Sequence, residues 1–295
     1  MFALMGIKAL YRDYLQQLSE LYPGNEAATM LDRLFESVAN IQRADIIKNP
    51  SWELPDPTAI KLEDLFIQLL QYRPLQYVLG EAWFYDMRLH VNEHVLIPRP
   101  ETEELVELVI EDAVSSATDK HKAVRLLDIG TGSGCIAIAL KKQLAHADII
   151  AIDVSADALE VARKNARDQQ VSVVFQLLDF LSEAEWPKLP VFDVIVSNPP
   201  YIPLSEKERL DKNVSNFEPQ QALFVPDKSP LLFYQKIAAF GIDHLSEQGK
   251  IFVEIHEDYA KETAELFGEY YQSVQIINDL FGKERMIVIS AMRHR

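Results

Sequence analysis

Hydrophobic residues recur at helical spacing through the first 80 residues. In residues 7–22 the apolar positions fall three or four residues apart and share one helical face (Ile7, Leu10, Tyr11, Tyr14, Leu15 and Leu18). Residues 25–40 repeat this pattern behind Pro23 and Gly24, which makes Asn25 a candidate N-cap. A third periodic segment, 56–74, is bounded by prolines. The pattern predicts a small helical bundle over residues 1–80.

The spacing changes after residue 80. Residues 81–100 (EAWFYDMRLHVNEHVLIPRP) mix aromatic and β-branched side chains, with turn-forming residues at Asn92 and Glu93. This composition predicts a β-hairpin that links two domains, with its turn at Asn92-Glu93.

Short apolar runs alternate with helical segments from residue 101 to residue 295. The predicted strands are 124–129, 148–153, 171–178, 192–197, 249–255, 273–278 and 285–292, with helices near 134–144, 155–168, 230–245 and 257–267. Such alternation is typical of an α/β domain whose mainly parallel sheet is covered on both faces. Only residues 279–284 separate the last two strands, so these are expected to pair antiparallel as a hairpin.

Composition and charge narrow the class of protein. The chain is 48% hydrophobic and 25% charged, as in ordinary soluble proteins, and its single cysteine, Cys135, excludes an intramolecular disulfide. No apolar stretch approaches membrane-spanning length, so we expect a cytoplasmic protein without membrane contact. The net charge of −16 disfavours a nucleic-acid substrate because it repels phosphates. The seven histidines are scattered, and no metal site is expected.

A glycine-rich turn follows the first strand of the α/β region. Gly130, Gly132 and Gly134 form a GxGxG pattern, whereas the dinucleotide fingerprint would place its third glycine where Cys135 stands. Asp128 ends the strand just before the turn, and a carboxylate there suits a cofactor that carries an ammonium group and no phosphate. S-adenosylmethionine has this chemistry, and glycines let the backbone approach it closely.

The next two strands also end in acidic residues. Asp153 ends the second strand, where a carboxylate can accept hydrogen bonds from both ribose hydroxyls. Asp179 and Phe180 follow the third, where the edge and face of an adenine would lie. The predicted cofactor site therefore comprises Asp128, Gly130, Thr131, Gly132, Ser133, Gly134, Asp153, Asp179, Phe180 and Asn198.

Residues 198–201 (NPPY) end the fourth strand, beside the same crevice. Each proline forces the residue before it into an extended conformation, so the segment is stiff, and neither proline has an N–H group. The Asn198 side-chain oxygen and the Pro199 carbonyl can then accept both hydrogens of one amide or amine, with Tyr201 as a flat wall. The alternative is that the two prolines merely terminate the strand, and the neighbouring cofactor motif disfavours this interpretation.

This arrangement suggests a mechanism for methyl transfer to an amide nitrogen. The sulfonium methyl is already activated, while an amide nitrogen is a poor nucleophile because its lone pair is delocalised. Acceptors on both N–H groups would aim the lone pair and stabilise the charge that develops on nitrogen. Asn198, Pro199 and Tyr201 are the catalytic candidates, and Asn198, Pro199, Pro200 and Tyr201 the substrate-binding ones. No base with a tuned pKa is required.

Several motifs together resemble the HemK/PrmC family of release factor glutamine N5-methyltransferases. They are NPPYIP, DIGTGSGCIAIAL, LIPRPETEELVE, RPLQYVLGEAWFY, FEPQQALF and DLFGKERMIV, which span the chain from about residue 70 to its end. The resemblance implies a Rossmann-like class I S-adenosylmethionine-dependent methyltransferase sheet over 101–295, a β-hairpin linker over 81–100 and a helical substrate-recognition domain over 1–80.

The same resemblance implies the reaction. The substrate would be the glutamine of the Gly-Gly-Gln motif in peptide-chain release factors, with S-adenosylhomocysteine as the second product and an effect on translation termination. It places residues 130–134, Asp153, Phe180 and Asn198 at the cofactor. His256 stands where the family more often has glycine, and we interpret it as a surface or helix-cap residue. Arg99, Glu101 and Glu103 are interpreted as a helix start, with Arg99 paired to an acid.

Two other substrates remain open from the residues alone. An adenine amino group presents the same pair of hydrogens as an amide, so an adenine-N6 nucleic-acid methyltransferase would also use NPPY. A glutamine methyltransferase acting on a ribosomal protein would share the chemistry and differ in recognition. The negative charge disfavours the first alternative.

Overall fold

A computed structural model describes residues 5–116 and 123–292. The described residues form two compact units. The first contains the described part of Met1–Gly80 together with Lys212–Phe217, and the second contains the described parts of Glu81–Asp211 and Glu218–Arg295.

The helices and strands follow one another in this order. The first group is α1 (Ile7–Ser19), α2 (Glu26–Ala39), α3 (Arg43–Lys48), α4 (Asp56–Leu70), α5 (Leu75–Leu79), β1 (Glu81–Phe84), β2 (Met87–His90) and α6 (Pro100–Ser116). The second is β3 (Arg125–Ile129), α7 (Cys135–Gln143), β4 (Asp148–Asp153), α8 (Ala156–Asp168), β5 (Val174–Leu177), β6 (Phe192–Ser197), β7 (Ile202–Pro203), α9 (Lys212–Phe217), α10 (Gln220–Leu223) and β8 (Phe224–Val225). The third is α11 (Leu232–His244), β9 (Leu245–Glu254), α12 (Ala260–Gly268), β10 (Tyr271–Asn278) and β11 (Glu284–Met292).

The helical unit is built around aromatic side chains. Tyr14 on α1 stacks on Phe66 of α4 with ring centroids 3.7 Å apart, and Phe35 of α2 meets the edge of the same tyrosine. These contacts join the three amphipathic helices that the sequence predicts. Asn25 occupies the N-cap position of α2, but its side chain makes no capping hydrogen bond.

The second unit contains a seven-stranded sheet in the order β10-β11-β9-β6-β3-β4-β5. The pairs β3-β4, β3-β6, β4-β5 and β6-β9 are parallel, while β11 is antiparallel to both β9 and β10. This confirms the α/β class, the mainly parallel sheet and the C-terminal hairpin. The strand predicted at 171–178 is shorter, since only Val174–Leu177 pair with β4.

Successive residues of the central strands point to opposite faces, and helices cover both. Leu126 packs in a core with α6 and α7, whereas its neighbour Leu127 packs in the core formed with α11 and α12. Burial on both faces explains why these strands read as continuous apolar runs.

The turn of the N-terminal hairpin was predicted wrongly. The structure places it at Tyr85-Asp86, between β1 and β2, and both turn residues have positive φ (48° and 58°). This backbone matches the twist of paired strands, but a tyrosine at positive φ is uncommon and carries no sequence signal. Asn92 instead accepts a hydrogen bond from the His94 N–H in a local turn.

None of the helices in residues 5–116 and 123–292 has both the length and the apolar character that a membrane crossing requires.

Candidate active site

A cavity of about 460 Å³ opens at the carboxyl ends of the central parallel strands. The segments after β3, β4, β5 and β6 form one side of it, through residues 130, 132, 153–155, 178–181 and 197–200. Residues 94–96, 129, 152 and 158 and mainly apolar residues between Pro219 and Phe233 complete the lining. Ligands of open α/β sheets bind at this edge.

The three predicted glycines have different environments. All have positive φ, which favours glycine. Gly130 and Gly132 line the cavity, and a Cβ on either would meet nothing within 4 Å. A Cβ on Gly134 would lie 3.0 Å from Ile138 and 3.1 Å from Ala162, so this glycine allows α7 and α8 to pack closely. Thus the first two glycines leave space for a ligand, and the third serves helix packing.

Asp128, Thr131 and Ser133 are buried and lie outside the cavity lining. The Thr131 hydroxyl donates to Asp128 Oδ2 over 2.7 Å, which ties the glycine-rich turn to the end of β3. Burial raises the pKa of Asp128 to about 7, although the Thr131 hydrogen bond lowers it. In this structure Asp128 supports the turn instead of facing the cavity.

Asp153 fixes the turn from the neighbouring strand. Its Oδ2 accepts from the Gly132 N–H and its Oδ1 from the Ser155 N–H, each over 2.9 Å. A carboxylate oxygen can accept more than one hydrogen bond, so acceptor capacity remains at this cavity-lining residue. Burial raises the pKa of Asp153, and the backbone donors oppose that shift.

Asp179 and Phe180 both line the cavity at the end of β5. Asp179 is exposed and accepts the Leu181 N–H over 3.0 Å. The Phe180 ring is largely buried, stacked on Trp186 at 5.8 Å and in edge contact with Phe240 at 5.4 Å. Phe180 is therefore both a core residue and part of the cavity wall.

The NPPY segment divides between the cavity and the core. Asn198, Pro199 and Pro200 line the cavity, but Tyr201 does not belong to the lining. The Tyr201 hydroxyl donates to Glu254 Oε1 over 3.2 Å, and its ring meets the edge of His256. Burial and the Glu254 carboxylate raise the pKa of this tyrosine.

The Asn198 side chain belongs to a hydrogen-bonded chain that the sequence did not reveal. Its Nδ2 donates to Thr102 Oγ1 over 3.0 Å, and the Thr102 hydroxyl donates to Glu254 Oε2 over 2.6 Å. Glu254 thus receives hydrogen bonds from both Thr102 and Tyr201.

An ion pair between the half-buried Arg99 and the buried Glu218 joins two of the sequence motifs. Arg99 donates to Glu218 Oε1 over 2.6 Å, and the Ile97 N–H donates to Glu218 Oε2 over 3.1 Å. The segments on either side, residues 94–96 and 219–226, both contribute to the cavity. Arg99 therefore holds the wall of the cavity together, and α6 begins at Pro100 as predicted.

His256 caps the short 3₁₀ helix Glu257–Tyr259, because its Nδ1 accepts the Asp258 N–H. This confirms its interpretation as a helix cap. Within the described ranges, no group of three or more His, Cys, Asp or Glu side chains could hold a metal ion.

Glu254 makes the stability of the protein depend on pH. Burial raises its pKa from 4.5 to about 7, while Thr102, Tyr201 and Arg285 lower it. Between these values the folded state holds a proton that the unfolded chain has lost, so the free energy of unfolding falls as pH rises. Asp128 acts with the same sign. In Glu254→Gln, we expect the loss of stability between about pH 5 and about pH 8 to shrink by ~2 kcal/mol.

Urea denaturation of both proteins at the two pH values measures this difference. Glu247→Gln, a change at an exposed glutamate, is the matched control and should keep the pH dependence of the unmodified chain. An unchanged pH dependence in Glu254→Gln would contradict the prediction.

Comparison with protein families gives two matches along the chain. Residues 9–80 match the family model described as PrmC N-terminal domain, and residues 112–215 match the one described as Methyltransferase small domain.

Curated relatives match over nearly the whole length. A release factor glutamine methyltransferase of Flavobacterium psychrophilum is 39% identical over 97% of this chain and 99% of its own. That of Bacteroides thetaiotaomicron is 38% identical over 92% of this chain and 95% of its own. Among solved structures, a T. thermophilus 16S rRNA methyltransferase in complex with AdoMet and guanosine superposes with a TM-score of 0.50. It is 16% identical and covers 72% of this chain and 49% of its own, so it shows the fold alone.

Proposed function

The chain belongs to the release factor glutamine methyltransferases, and from this premise we propose the reaction that its cavity performs. It transfers a methyl group from S-adenosylmethionine to the side-chain amide nitrogen (N5) of the glutamine in the Gly-Gly-Gln motif of peptide-chain release factors, and so modulates translation termination. The observation that carries the proposal is the single cavity shared by Gly130, Gly132, Asp153 and the Asn198-Pro199 corner. Because this substrate acts in translation, we propose the cytoplasm as the site of action.

The residues of the cavity fit the methyl donor. The open space beside Gly130 and Gly132 admits a ligand against the backbone, and Asp153 has acceptor capacity for hydroxyl groups. Asp179 and Phe180 supply a polar edge and an aromatic face at the end of β5. S-adenosylmethionine would supply an electrophilic methyl group on sulfonium. Transfer would break the carbon–sulfur bond, form a carbon–nitrogen bond and leave S-adenosylhomocysteine, while the amide nitrogen would release one of its two protons to solvent.

The Asn198-Pro199 corner handles the glutamine amide. The side-chain oxygen of Asn198 and the carbonyl of Pro199 accept its two N–H groups, which orients the nitrogen and stabilises the positive charge that develops there. Tyr201 supports this corner through its hydroxyl bond to Glu254 and packs behind it. The apolar wall formed by Phe224, Leu232 and Phe233 keeps water from the reacting groups.

Methyl-labelled S-adenosylmethionine tests the proposal. The full chain is incubated with a release factor, with the same factor carrying alanine in place of the Gly-Gly-Gln glutamine, with ribosomal proteins, or with DNA. Label on the intact release factor alone is the expected result. Label on a ribosomal protein or on adenine in DNA would replace the proposed substrate with one of the alternatives.

We also propose that the helical unit recognises the release factor. Its helix α4 exposes Ile60 and Ile67, which are 60% and 45% accessible and share one face because they are seven residues apart. Exposed apolar side chains on one helical face are typical of a protein-binding surface. The match of residues 9–80 to a family-specific N-terminal domain supports this role.

The double change Ile60→Ser and Ile67→Ser is expected to raise KM for an intact release factor about tenfold, because two apolar contacts are lost. The kcat/KM for a short Gly-Gly-Gln peptide should not change, since a peptide reaches only the cavity. Methylation kinetics with both substrates measure this. Val114→Ser, at an exposed valine of α6, is the matched control. Equal losses with peptide and protein would contradict a recognition role.

A further inference from the structure

The side-chain amide of Asn198 has two possible orientations, in which Oδ1 and Nδ2 exchange places. Its oxygen accepts hydrogen bonds and its NH2 group donates them, so the two orientations present opposite chemistry to a ligand. An orientation with NH2 toward the cavity would face the N–H groups of a substrate amide and repel them. The catalytic role proposed for Asn198 therefore depends on the contacts that fix the orientation of its side-chain amide.

Thr102 and Glu254 determine the orientation through the direction of their hydrogen bonds. Above the Glu254 pKa of about 7, where the kinetic assays are made, the carboxylate is ionised and only accepts, so the single Thr102 hydrogen lies on the 2.6 Å bond to Glu254 Oε2. Thr102 Oγ1 can then only accept from Asn198, and the atom 3.0 Å away must be Nδ2. The oxygen of the same planar amide, Oδ1, then remains available to accept a hydrogen bond from a ligand in the cavity.

The surroundings of Glu254 keep this chain of bonds in one direction. Its other oxygen, Oε1, accepts from the Tyr201 hydroxyl, so both carboxylate oxygens are occupied by donors. Burial raises the pKa of Glu254, and the hydrogen bonds from Thr102 and Tyr201 and the positive charge of Arg285 oppose that shift. Glu254 is 1% exposed and Thr102 2%, so water does not compete for these bonds.

We propose that Thr102 and Glu254 are positioning residues that hold the Asn198 amide with Oδ1 toward the substrate. This inference rests on the proposed function for its kinetic test, but the orientation itself is a property of the protein without substrate. Thr102 lies on α6 and Glu254 at the end of β9, so two elements fix a catalytic side chain that neither of them carries.

The variant Thr102→Val tests the inference because it keeps the shape of the side chain and removes the hydroxyl. Without the acceptor the amide can flip, and we expect kcat for release factor methylation to fall about 20-fold, while KM for S-adenosylmethionine stays unchanged. Thr102→Ser restores the hydroxyl and should bring kcat back to within about threefold of the unmodified enzyme. Wild-type kcat in Thr102→Val, or equally slow Thr102→Ser, would overturn the proposal.

Thr263→Val is the matched control. Thr263 is also buried in the second unit, but its hydroxyl has no hydrogen-bond partner within the described residues. Its replacement should leave kcat unchanged, which separates loss of a directed hydrogen bond from loss of any buried hydroxyl.

A measurement without substrate keeps this inference separate from the proposed function. With ¹⁵N-labelled asparagine, the side-chain NH2 signal of Asn198 should be protected from hydrogen exchange in the unmodified chain and in Thr102→Ser, but not in Thr102→Val. Equal protection in all three proteins would overturn the inference. Absence of methyl transfer by the unmodified chain, with this pattern intact, would overturn the proposed function alone.

Discussion

Replacing Asn198 with alanine is expected to lower kcat for release factor methylation about a thousandfold. The change removes the side-chain acceptor that, as we propose, orients the glutamine amide and stabilises charge on its nitrogen. It leaves Gly130, Gly132 and Asp153 in place, so the Kd for S-adenosylmethionine should stay within about threefold of its original value. Single-turnover methylation and calorimetric titration of the cofactor measure the two quantities.

Asn278→Ala is the matched control for this prediction. Asn278 is an exposed asparagine at the end of β10, and among the described residues its side chain donates only to the Gly282 carbonyl. Its loss should change neither quantity. Retention of kcat in Asn198→Ala would show that Asn198 does not orient the substrate, and a parallel loss of cofactor affinity would show that it acts through the cofactor instead.

The sheet could be predicted because its strands carry a strong local signal. Central strands such as β3 and β6 are apolar on both faces, and the segment between β10 and β11 is too short for a parallel connection. The observed β5 is shorter than predicted because the apolar residues before it continue the run outside the β4-β5 ladder, which begins only at Val174.

Features set by long-range contacts carried no such signal. The helix α9 packs with residues of the helical unit, where the Lys212 ammonium lies 4.7 Å from the Tyr72 ring centroid, although it follows that unit by more than a hundred residues. Neither its short length nor its composition indicates that association. The hairpin turn at Tyr85-Asp86 was missed for a local reason, namely that the sequence there lacks glycine and asparagine.

In the candidate site, too, some residues carry a local sequence signal and others are placed only by long-range contacts. The rule that ligands meet the carboxyl ends of parallel strands predicted Gly130, Asp153 and Asn198 as neighbours, and they line one cavity. Thr102 and Glu254 were missed because their hydrogen bond joins residues 152 positions apart. A weak signal existed for Glu254, since it is the only charged residue in the apolar run 251–255. A carboxylate there needs partners when buried.

Asp153 is the residue whose loss should weaken cofactor binding most. Its oxygens hold the Gly132 and Ser155 N–H groups, and we propose that they also accept from the ribose hydroxyls of S-adenosylmethionine. Hydrogen bonds to a charged group contribute about 1.5 kcal/mol or more each. Two such bonds correspond to about a hundredfold in Kd.

We therefore expect Asp153→Ala to raise the Kd for S-adenosylmethionine about a hundredfold, with kcat at saturating cofactor lowered much less. Equilibrium titration measures the affinity, and saturation kinetics measure kcat. Asp168→Ala, at an exposed aspartate of α8 paired with Lys164, is the matched control and should retain full affinity. Because Asp153 also anchors the glycine-rich turn, the thermal unfolding of the cofactor-free variant is compared with that of the unmodified chain. Unchanged affinity in a folded Asp153→Ala protein would place the ribose elsewhere and remove the strand-end argument for this cofactor site.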